Sequence, residues 1–130
     1  LVPGPHDSIM AGLNCGMPSL IAWPLVSTGI DAYLAIDDER ARQGMRLLAV
    51  HGVTAGETGA AGLGGLLELL GAAQLQQLRD ELGLHAGTQA LVLVTEGATD
   101  PLAYAEITGS APTACQEQRR CPLCRGEEGG

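Results

Sequence analysis

The spacing of apolar residues changes along the chain from the period of a helix to that of a strand. Between residues 39 and 51, Ala41, Met45 and Leu48 recur at intervals that place all three on one face of a helix. This pattern predicts an amphipathic helix whose apolar face packs on a core. The polar side chains expected to face outward from this helix are Arg40, Arg42 and Gln43.

Capping residues and prolines mark the expected ends of the helices. Asp37 or Asp38 can cap the helix at 39–51, because aspartate accepts hydrogen bonds from the free amides of a first turn. Gly52 and Gly83 are suited to end helices, since glycine readily adopts the left-handed conformation found there. Further helices are predicted at residues 18–26, which Pro24 should kink or end, at 74–82 and at 101–108.

Two short segments have the pattern of strands. Residues 32–36 alternate well enough for a short strand, whereas residues 90–94 form an unbroken apolar run of the kind buried on both faces of a parallel sheet. Together with the helices they predict an α/β fold, a parallel sheet flanked by helices. Two strands leave both edges of a sheet open, so this sheet should be incomplete in the chain. Ligands bind beyond the carboxyl ends of such strands, where Asp37 and Thr95 lie.

Residues 54–71 form a glycine-rich run between the two strand patterns. Glycines at 56, 59 and 62 suggest a surface of small residues that a backbone or a flat ligand can approach closely. We expect a central buried helix here, stabilised by burial because each glycine lowers helix stability by about 1 kcal/mol. The run matches neither phosphate-binding glycine motif. Glu57 either caps this helix or contacts a ligand.

Composition and charge exclude several classes of partner. The chain has no Phe, one Trp and two Tyr, so its core must consist mainly of aliphatic residues and glycine. The net charge of −8, without a basic stripe, argues against nucleic acid or an anionic membrane as a partner. The absence of a long apolar run and of a signal-peptide pattern predicts a cytoplasmic protein.

Cysteine and histidine positions do not predict a metal site. Cys115, Cys121 and Cys124 offer three ligands near the end of the chain, whereas a structural zinc site generally has four. Cys15 stands alone, and the spacing of histidines 6, 51 and 85 is not that of ligands. Residues 110–130 are predicted to be a disordered cysteine-containing tail.

Three stretches taken together resemble a known family. Residues 8–16 (Ser-Ile-Met-Ala-Gly-Leu-Asn-Cys-Gly), 55–65 (Ala-Gly-Glu-Thr-Gly-Ala-Ala-Gly-Leu-Gly-Gly) and 94–101 (Val-Thr-Glu-Gly-Ala-Thr-Asp-Pro) are similar, in order and spacing, to the C-terminal part of fold-type-II pyridoxal-phosphate enzymes. The resemblance is greatest to the diaminopropionate ammonia-lyases and weaker to serine and threonine dehydratases and tryptophan synthase beta subunits. It covers residues 3–109, which are accordingly expected to be part of a lyase catalytic domain.

The resemblance implies an activity and a role for three residues. It implies an α,β-elimination on a small amino acid, converting 2,3-diaminopropionate into pyruvate and ammonia, in a homodimeric enzyme. Thr95 matches the residue whose hydroxyl bonds the pyridine nitrogen of pyridoxal 5'-phosphate. Glu57 matches the acid near the cofactor ring, and Gly12 matches the backbone beside the ring's 3-hydroxyl group.

One residue that the family requires does not occur in this sequence. The seven basic residues are all arginines, so the chain has no lysine to form the Schiff base and no catalytic residue is assigned. The family's phosphate-binding glycine loop is missing too. We therefore expect an inactive fragment of a longer lyase. A serine or threonine dehydratase fragment and a non-catalytic ligand-binding or interaction domain remain alternatives.

Overall fold

The computed structural model describes residues 4–112 of the chain, and its regular structure is helical. In chain order the helices are α1 (Trp23–Gly29), α2 (Asp38–Val50), α3 (Ala61–Gly71), α4 (Gln76–Glu81) and α5 (Pro101–Thr108), with single 3₁₀ turns at Ala11–Leu13 and Ala73–Leu75. Helix α2 packs against both α3 and α5. None of the helices within these residues is long and apolar enough to cross a membrane.

Helix α2 confirms the amphipathic pattern at its predicted position. Asp37 is its N-cap, and the Asp37 carboxylate accepts a hydrogen bond from the Arg40 amide at 2.9 Å. Gly52 follows the last turn with a φ of +75°, the left-handed conformation in which glycine is favoured. Ala41 and Met45 are fully buried, so the predicted apolar face is the one that packs on the core.

The prediction that the Arg40 side chain faces outward from α2 is wrong. Its guanidinium forms an ion pair with Glu68 on α3, and both side chains are partly buried. Gln43 accepts a second hydrogen bond from the same guanidinium at 2.8 Å. Arg40 is at the border of the apolar face, and the close approach of α3 brings an acidic partner within reach of its long side chain.

Glycines allow α2 and α3 to pack closely. A methyl group on Gly44 would lie 2.9 Å from the carbonyl oxygen of Ala60, and one on Gly64 would lie 2.9 Å from that of Arg40. Real methyl groups hardly ever come so near a backbone oxygen, so side chains at these positions would force the helices apart. The close approach expected at glycines 56, 59 and 62 is found at Gly56 and Gly59, which lie against the backbone of residues 96–97, but not at Gly62.

The glycine-rich run is only partly helical. Helix α3 begins at Ala61, while residues 54–60 form a loop and a turn in front of it. Gly64 and Leu69 are its buried residues, whereas Leu70 is exposed. The predicted central buried helix is therefore shorter and more exposed than expected, because closely spaced glycines favour a turn over a first helical turn.

A small core joins α2 and α5 to the loop before α3. Met45, Ala55, Ala60 and Tyr104 are its buried members. Met45 is the largest side chain that is fully buried. The predicted shortage of aromatic side chains is visible here, since Tyr104 is the one aromatic member of this core.

The two predicted strands are extended segments, and no strand is assigned within residues 4–112. Their side chains alternate in exposure from Ala32 to Ile36, but Leu91 and Leu93 are 88% and 69% exposed, so the segment at 90–94 is not buried on both faces. A strand is defined by backbone hydrogen bonds to a neighbour, and these segments do not pair with each other. The predicted parallel sheet is therefore not seen in this structure.

Both extended segments line one cavity, together with the side of α3 that carries Leu66 and Leu69. The cavity has a volume of about 740 Å³. Its lining is aliphatic and includes Leu34, Ile36, Leu66, Val92 and Leu93. The side chains that the sequence pattern assigned to the interior of a sheet thus face this open space.

Two predicted helices have different bounds. The helix expected at 18–26 begins only at Trp23, so Pro24 lies in the first turn of α1 rather than breaking it. Proline suits this position because first-turn amides have no partner within the helix. The helix expected at 74–82 starts as a 3₁₀ turn and continues as α4, and Gly83 closes it with a φ of +65°.

Helix α5 is found at its predicted bounds, with Asp100 as its N-cap. The Asp100 carboxylate accepts hydrogen bonds from the amides of Leu102 and Ala103, both at 3.0 Å. We expect Asp100→Ala to lower the free energy of unfolding by about 1 kcal/mol, because both amides lose their acceptor. Asp100→Asn should stay close to wild type, since asparagine caps equally well. Urea unfolding followed by circular dichroism measures the difference, and equal losses for both variants would contradict the capping role.

The predicted tail extends beyond the described residues. Residues 113–130, which include Cys115, Cys121 and Cys124, lie outside them, so the predictions of disorder and of no metal site there stay predictions. Within residues 4–112 no group of three or more potential metal ligands is found.

Candidate functional site

Three segments that are far apart in sequence meet at one end of α3. The Gly12 amide donates a hydrogen bond to the Thr58 hydroxyl at 3.0 Å, and the Gly56 amide donates one to the carbonyl of Glu96 at 3.1 Å. These contacts join residues 10–13 and 95–98 to the turn at 55–60. We call these three segments together the wall.

The wall is tightly packed where the turn meets residues 96–97. A methyl group on Gly56 would collide with the carbonyl of Gly97, and one on Gly59 would collide with the backbone of Glu96. Both glycines are buried. Thr99 donates a hydrogen bond from its hydroxyl to the Glu96 carboxylate at 3.0 Å, which supports this segment from the other side. Direct backbone packing therefore determines where the neighbouring Thr95 lies.

The segment before Gly12 is held by Asp38 at the start of α2. The Asp38 carboxylate accepts hydrogen bonds from the Ser8 hydroxyl at 2.7 Å and from the Ile9 amide at 3.3 Å. The Asn14 side chain donates to the Ser8 carbonyl at 2.8 Å, which closes a loop around Gly12. The wall thus has a support on α2 as well as on the turn before α3.

The three residues predicted from the sequence, Gly12, Glu57 and Thr95, all belong to this wall. Gly12 and Thr95 are exposed, and Glu57 is half-buried. Capping of α3 does not explain Glu57, because the first turn of that helix holds no acidic residue and its N-cap is Ala60. The ion pairs found within residues 4–112 join arginines to Glu39 or Glu68 and do not include Glu57.

Two residues of the site were missed by sequence reasoning. Thr58 was not singled out, although a hydroxyl inside a run of glycine and alanine is a recognisable signal for a local hydrogen bond. Asp38 was expected as a helix cap and at the ligand-binding end of a strand, but it binds the segment that carries Gly12. Neither contact is deducible from local sequence, because each joins residues about 30 or more positions apart.

The family model for pyridoxal-phosphate dependent enzymes matches residues 2–87. This match covers more than half of the chain, and the chain therefore belongs to this family of pyridoxal-phosphate dependent enzymes. Membership confirms the family and the cofactor expected from the three sequence stretches, and it implies the α/β class of fold type II.

Among individual proteins, the chain is similar to diaminopropionate ammonia-lyases. It is 36% identical over 119 residues to the one from Salmonella typhimurium, an alignment covering 87% of this chain and 30% of that relative. It is 36% identical over 111 residues to the one from Escherichia coli K12, covering 82% of this chain and 28% of that relative. The chain thus spans less than a third of the length of these relatives.

The residues of the wall fit one face of a pyridoxal ring. Thr95 offers a neutral hydroxyl, which can donate a hydrogen bond to an unprotonated pyridine nitrogen. A methyl group built on Gly97 meets nothing within 4 Å, so the surface beside Thr95 is open. The exposed Gly12 adds a backbone without a side chain, which lets a flat ring approach. The Thr95 hydroxyl and the open backbone at Gly12 suit the ring, whereas the described residues of the wall contribute no cationic side chain for its phosphate.

Proposed function

We propose that this chain supplies one wall of the cofactor site in a pyridoxal-phosphate dependent lyase. The proposed reaction converts 2,3-diaminopropionate into pyruvate and ammonia by α,β-elimination. The observation that carries this proposal is the convergence of residues 10–13, 55–60 and 95–98, since the same three stretches resemble the lyases in sequence. Similarity to the two diaminopropionate ammonia-lyases supports the choice of substrate.

In this proposal each residue of the wall has a separate task. The Thr95 hydroxyl donates a hydrogen bond to the pyridine nitrogen, the Gly12 backbone lies beside the 3-hydroxyl group, and the Glu57 carboxylate is the acid near the ring. Pyridoxal phosphate itself, when bound, supplies the electron sink that stabilises the carbanion of an amino acid. A hydroxyl partner, unlike a carboxylate, does not hold the ring nitrogen protonated.

The Schiff-base lysine must come from outside these residues. All seven basic residues of the chain are arginines, and arginine is not a nucleophile at neutral pH. In the complete enzyme we place the two extended segments in a parallel sheet, with additional strands filling the cavity that they line. We further propose a homodimeric, cytoplasmic enzyme.

A chimeric enzyme tests this function. The stretch of the Salmonella typhimurium relative that aligns with this chain is replaced by the aligned 87% of this chain, and pyruvate release from 2,3-diaminopropionate is measured. We expect measurable activity. We expect Thr95→Ser to retain it and Thr95→Val to lower it by about tenfold or more, as for loss of one hydrogen bond to a reacting group.

The outcomes of this experiment separate the proposed reaction from its alternatives. A chimera that releases pyruvate from serine, or an α-keto acid from threonine, but not from 2,3-diaminopropionate would favour a dehydratase. A chimera that unfolds cooperatively and is inactive on all three substrates would contradict a catalytic role. In that case a rise in the unfolding midpoint of the 130-residue chain with pyridoxal phosphate would favour a binding domain.

A further inference from the structure

We propose that Thr58 is a positioning residue, whose hydroxyl sets the place of the Gly12 backbone in the wall. This inference rests on the proposed function and adds a residue to it. The Thr58 hydroxyl accepts the Gly12 amide hydrogen bond at 3.0 Å, across 46 residues of sequence. No stretch of sequence likeness assigns Thr58 to cofactor or substrate, so its role follows from this contact.

The contact constrains Gly12 in two ways. Besides the hydrogen bond, a methyl group on Gly12 would lie 2.9 Å from Cγ2 and 3.1 Å from Oγ1 of Thr58. The threonine side chain therefore packs directly against the Gly12 backbone as well as binding its amide. Both effects fix the distance between the 3₁₀ turn at Ala11–Leu13 and the turn before α3.

Thr58 contacts residues 10–13 at a point where this segment has few other contacts to the helices. The Asp38 carboxylate on α2 also accepts hydrogen bonds from this part of the chain, but its donors are Ser8 and Ile9, which precede Gly12 by several residues. The Ala11–Leu13 turn has no buried residue and no side-chain cap. Without the Thr58 hydroxyl, the Gly12 backbone could pivot after Met10, which is buried.

The position of Thr58 next to Glu57 gives this contact its functional meaning. The same turn carries Glu57 and, through Gly56, is bonded to the Glu96 carbonyl. Thr58 therefore sets the spacing between the backbone at Gly12 and the other two proposed ring contacts. A flat ligand that touches all three contacts depends on that spacing, whereas the core around Met45 does not.

The test uses the 130-residue chain and the chimera, and compares Thr58→Val, which removes the hydroxyl at nearly constant size, with Thr58→Ser, which keeps it. Thr88→Val is the matched control, because Thr88 also accepts a backbone amide, that of His85 at 3.0 Å, at an exposed turn outside the wall. The readouts are amide hydrogen exchange of Gly12 by NMR in the 130-residue chain and equilibrium dialysis of pyridoxal 5'-phosphate against the chimera that carries the same substitutions.

We expect Thr58→Val to speed exchange at Gly12 and to weaken pyridoxal 5'-phosphate binding by about two- to tenfold, the effect of one net hydrogen bond. Thr58→Ser and Thr88→Val should keep wild-type binding. Unchanged binding in Thr58→Val, or an equal loss in Thr88→Val, would overturn the positioning role while leaving the chimera result intact. If the chimera with the wild-type stretch binds no cofactor, that result counts against the proposed function, and unchanged Gly12 exchange in Thr58→Val still overturns the positioning role.

Discussion

Replacing Met45 with alanine is expected to lower the free energy of unfolding by about 2–5 kcal/mol, the range for removing a large buried side chain. Met45 is fully buried and contacts a core whose other members include Ala55, Ala60 and Tyr104. Two of these neighbours are alanines, and neither has a long side chain that could move into the space left. Leu48 and Ile107, which are partly buried and also pack against this core, can relax into part of that space, so we expect a loss near the middle of the range.

The control for this prediction is Val50→Ala on the same helix. Val50 is 81% exposed, so its truncation removes little buried area and substitutes a residue of higher helix propensity. Urea unfolding followed by far-ultraviolet circular dichroism gives both values. A loss below 1 kcal/mol for Met45→Ala would mean that the core around Tyr104 does not carry the stability of this chain.

Replacing Gly59 with alanine is expected to lower the free energy of unfolding by about 3 kcal/mol, the upper end of the range for overpacking. The added methyl group would meet the backbone of Glu96, which, unlike a side chain, cannot rotate away. The strain can be relieved only by moving residues 95–98 off the turn at 55–60. We thus expect the substitution to open the wall beside Thr95 as well as to destabilise it.

Gly65→Ala on α3 is the matched control for Gly59→Ala. A methyl group at Gly65 meets nothing within 4 Å, so only the effect on the helix remains. Alanine is favoured over glycine in a helix interior, so we expect Gly65→Ala to raise the free energy of unfolding by about 0.5–1 kcal/mol. A lower free energy of unfolding for Gly59→Ala and a higher one for Gly65→Ala, measured by urea unfolding, would support the packing role of Gly59. A loss of similar size for both would show that the chain tolerates no added methyl group in this region.

Local sequence predicted the helices best where a cap and an apolar face agree. Helix α2 has Asp37 at its start and Met45 on its buried face, whereas α5 was predicted from Pro101 and a cap at Thr99 or Asp100, of which Asp100 is the cap in the structure. Both were predicted within about one residue. Helix α1 was predicted poorly because Pro24 is compatible with either a first turn or a break, and only its neighbours decide which.

Resemblance to the family selected the candidate residues, but the way the segments that carry them come together could not be predicted. Gly12, Glu57 and Thr95 were selected by their resemblance to the family, and all three lie in the wall. The Thr58 contact to Gly12 and the packing of Gly59 on Glu96 connect distant parts of the chain. No local pattern encodes such contacts, since they depend on how α3 lies against α2 and on the path of residues 95–98.

The extended segments that line the 740 Å³ cavity also determine how the chain should be handled in solution. Each has backbone amides and carbonyls that no neighbouring strand pairs within the described residues, and Leu91 and Leu93 project from one of them largely exposed. Unpaired apolar edges of this kind act as templates on which other extended chains add. Self-association should therefore grow with protein concentration, and dilute samples are the ones in which the unfolding and dialysis measurements report on single molecules.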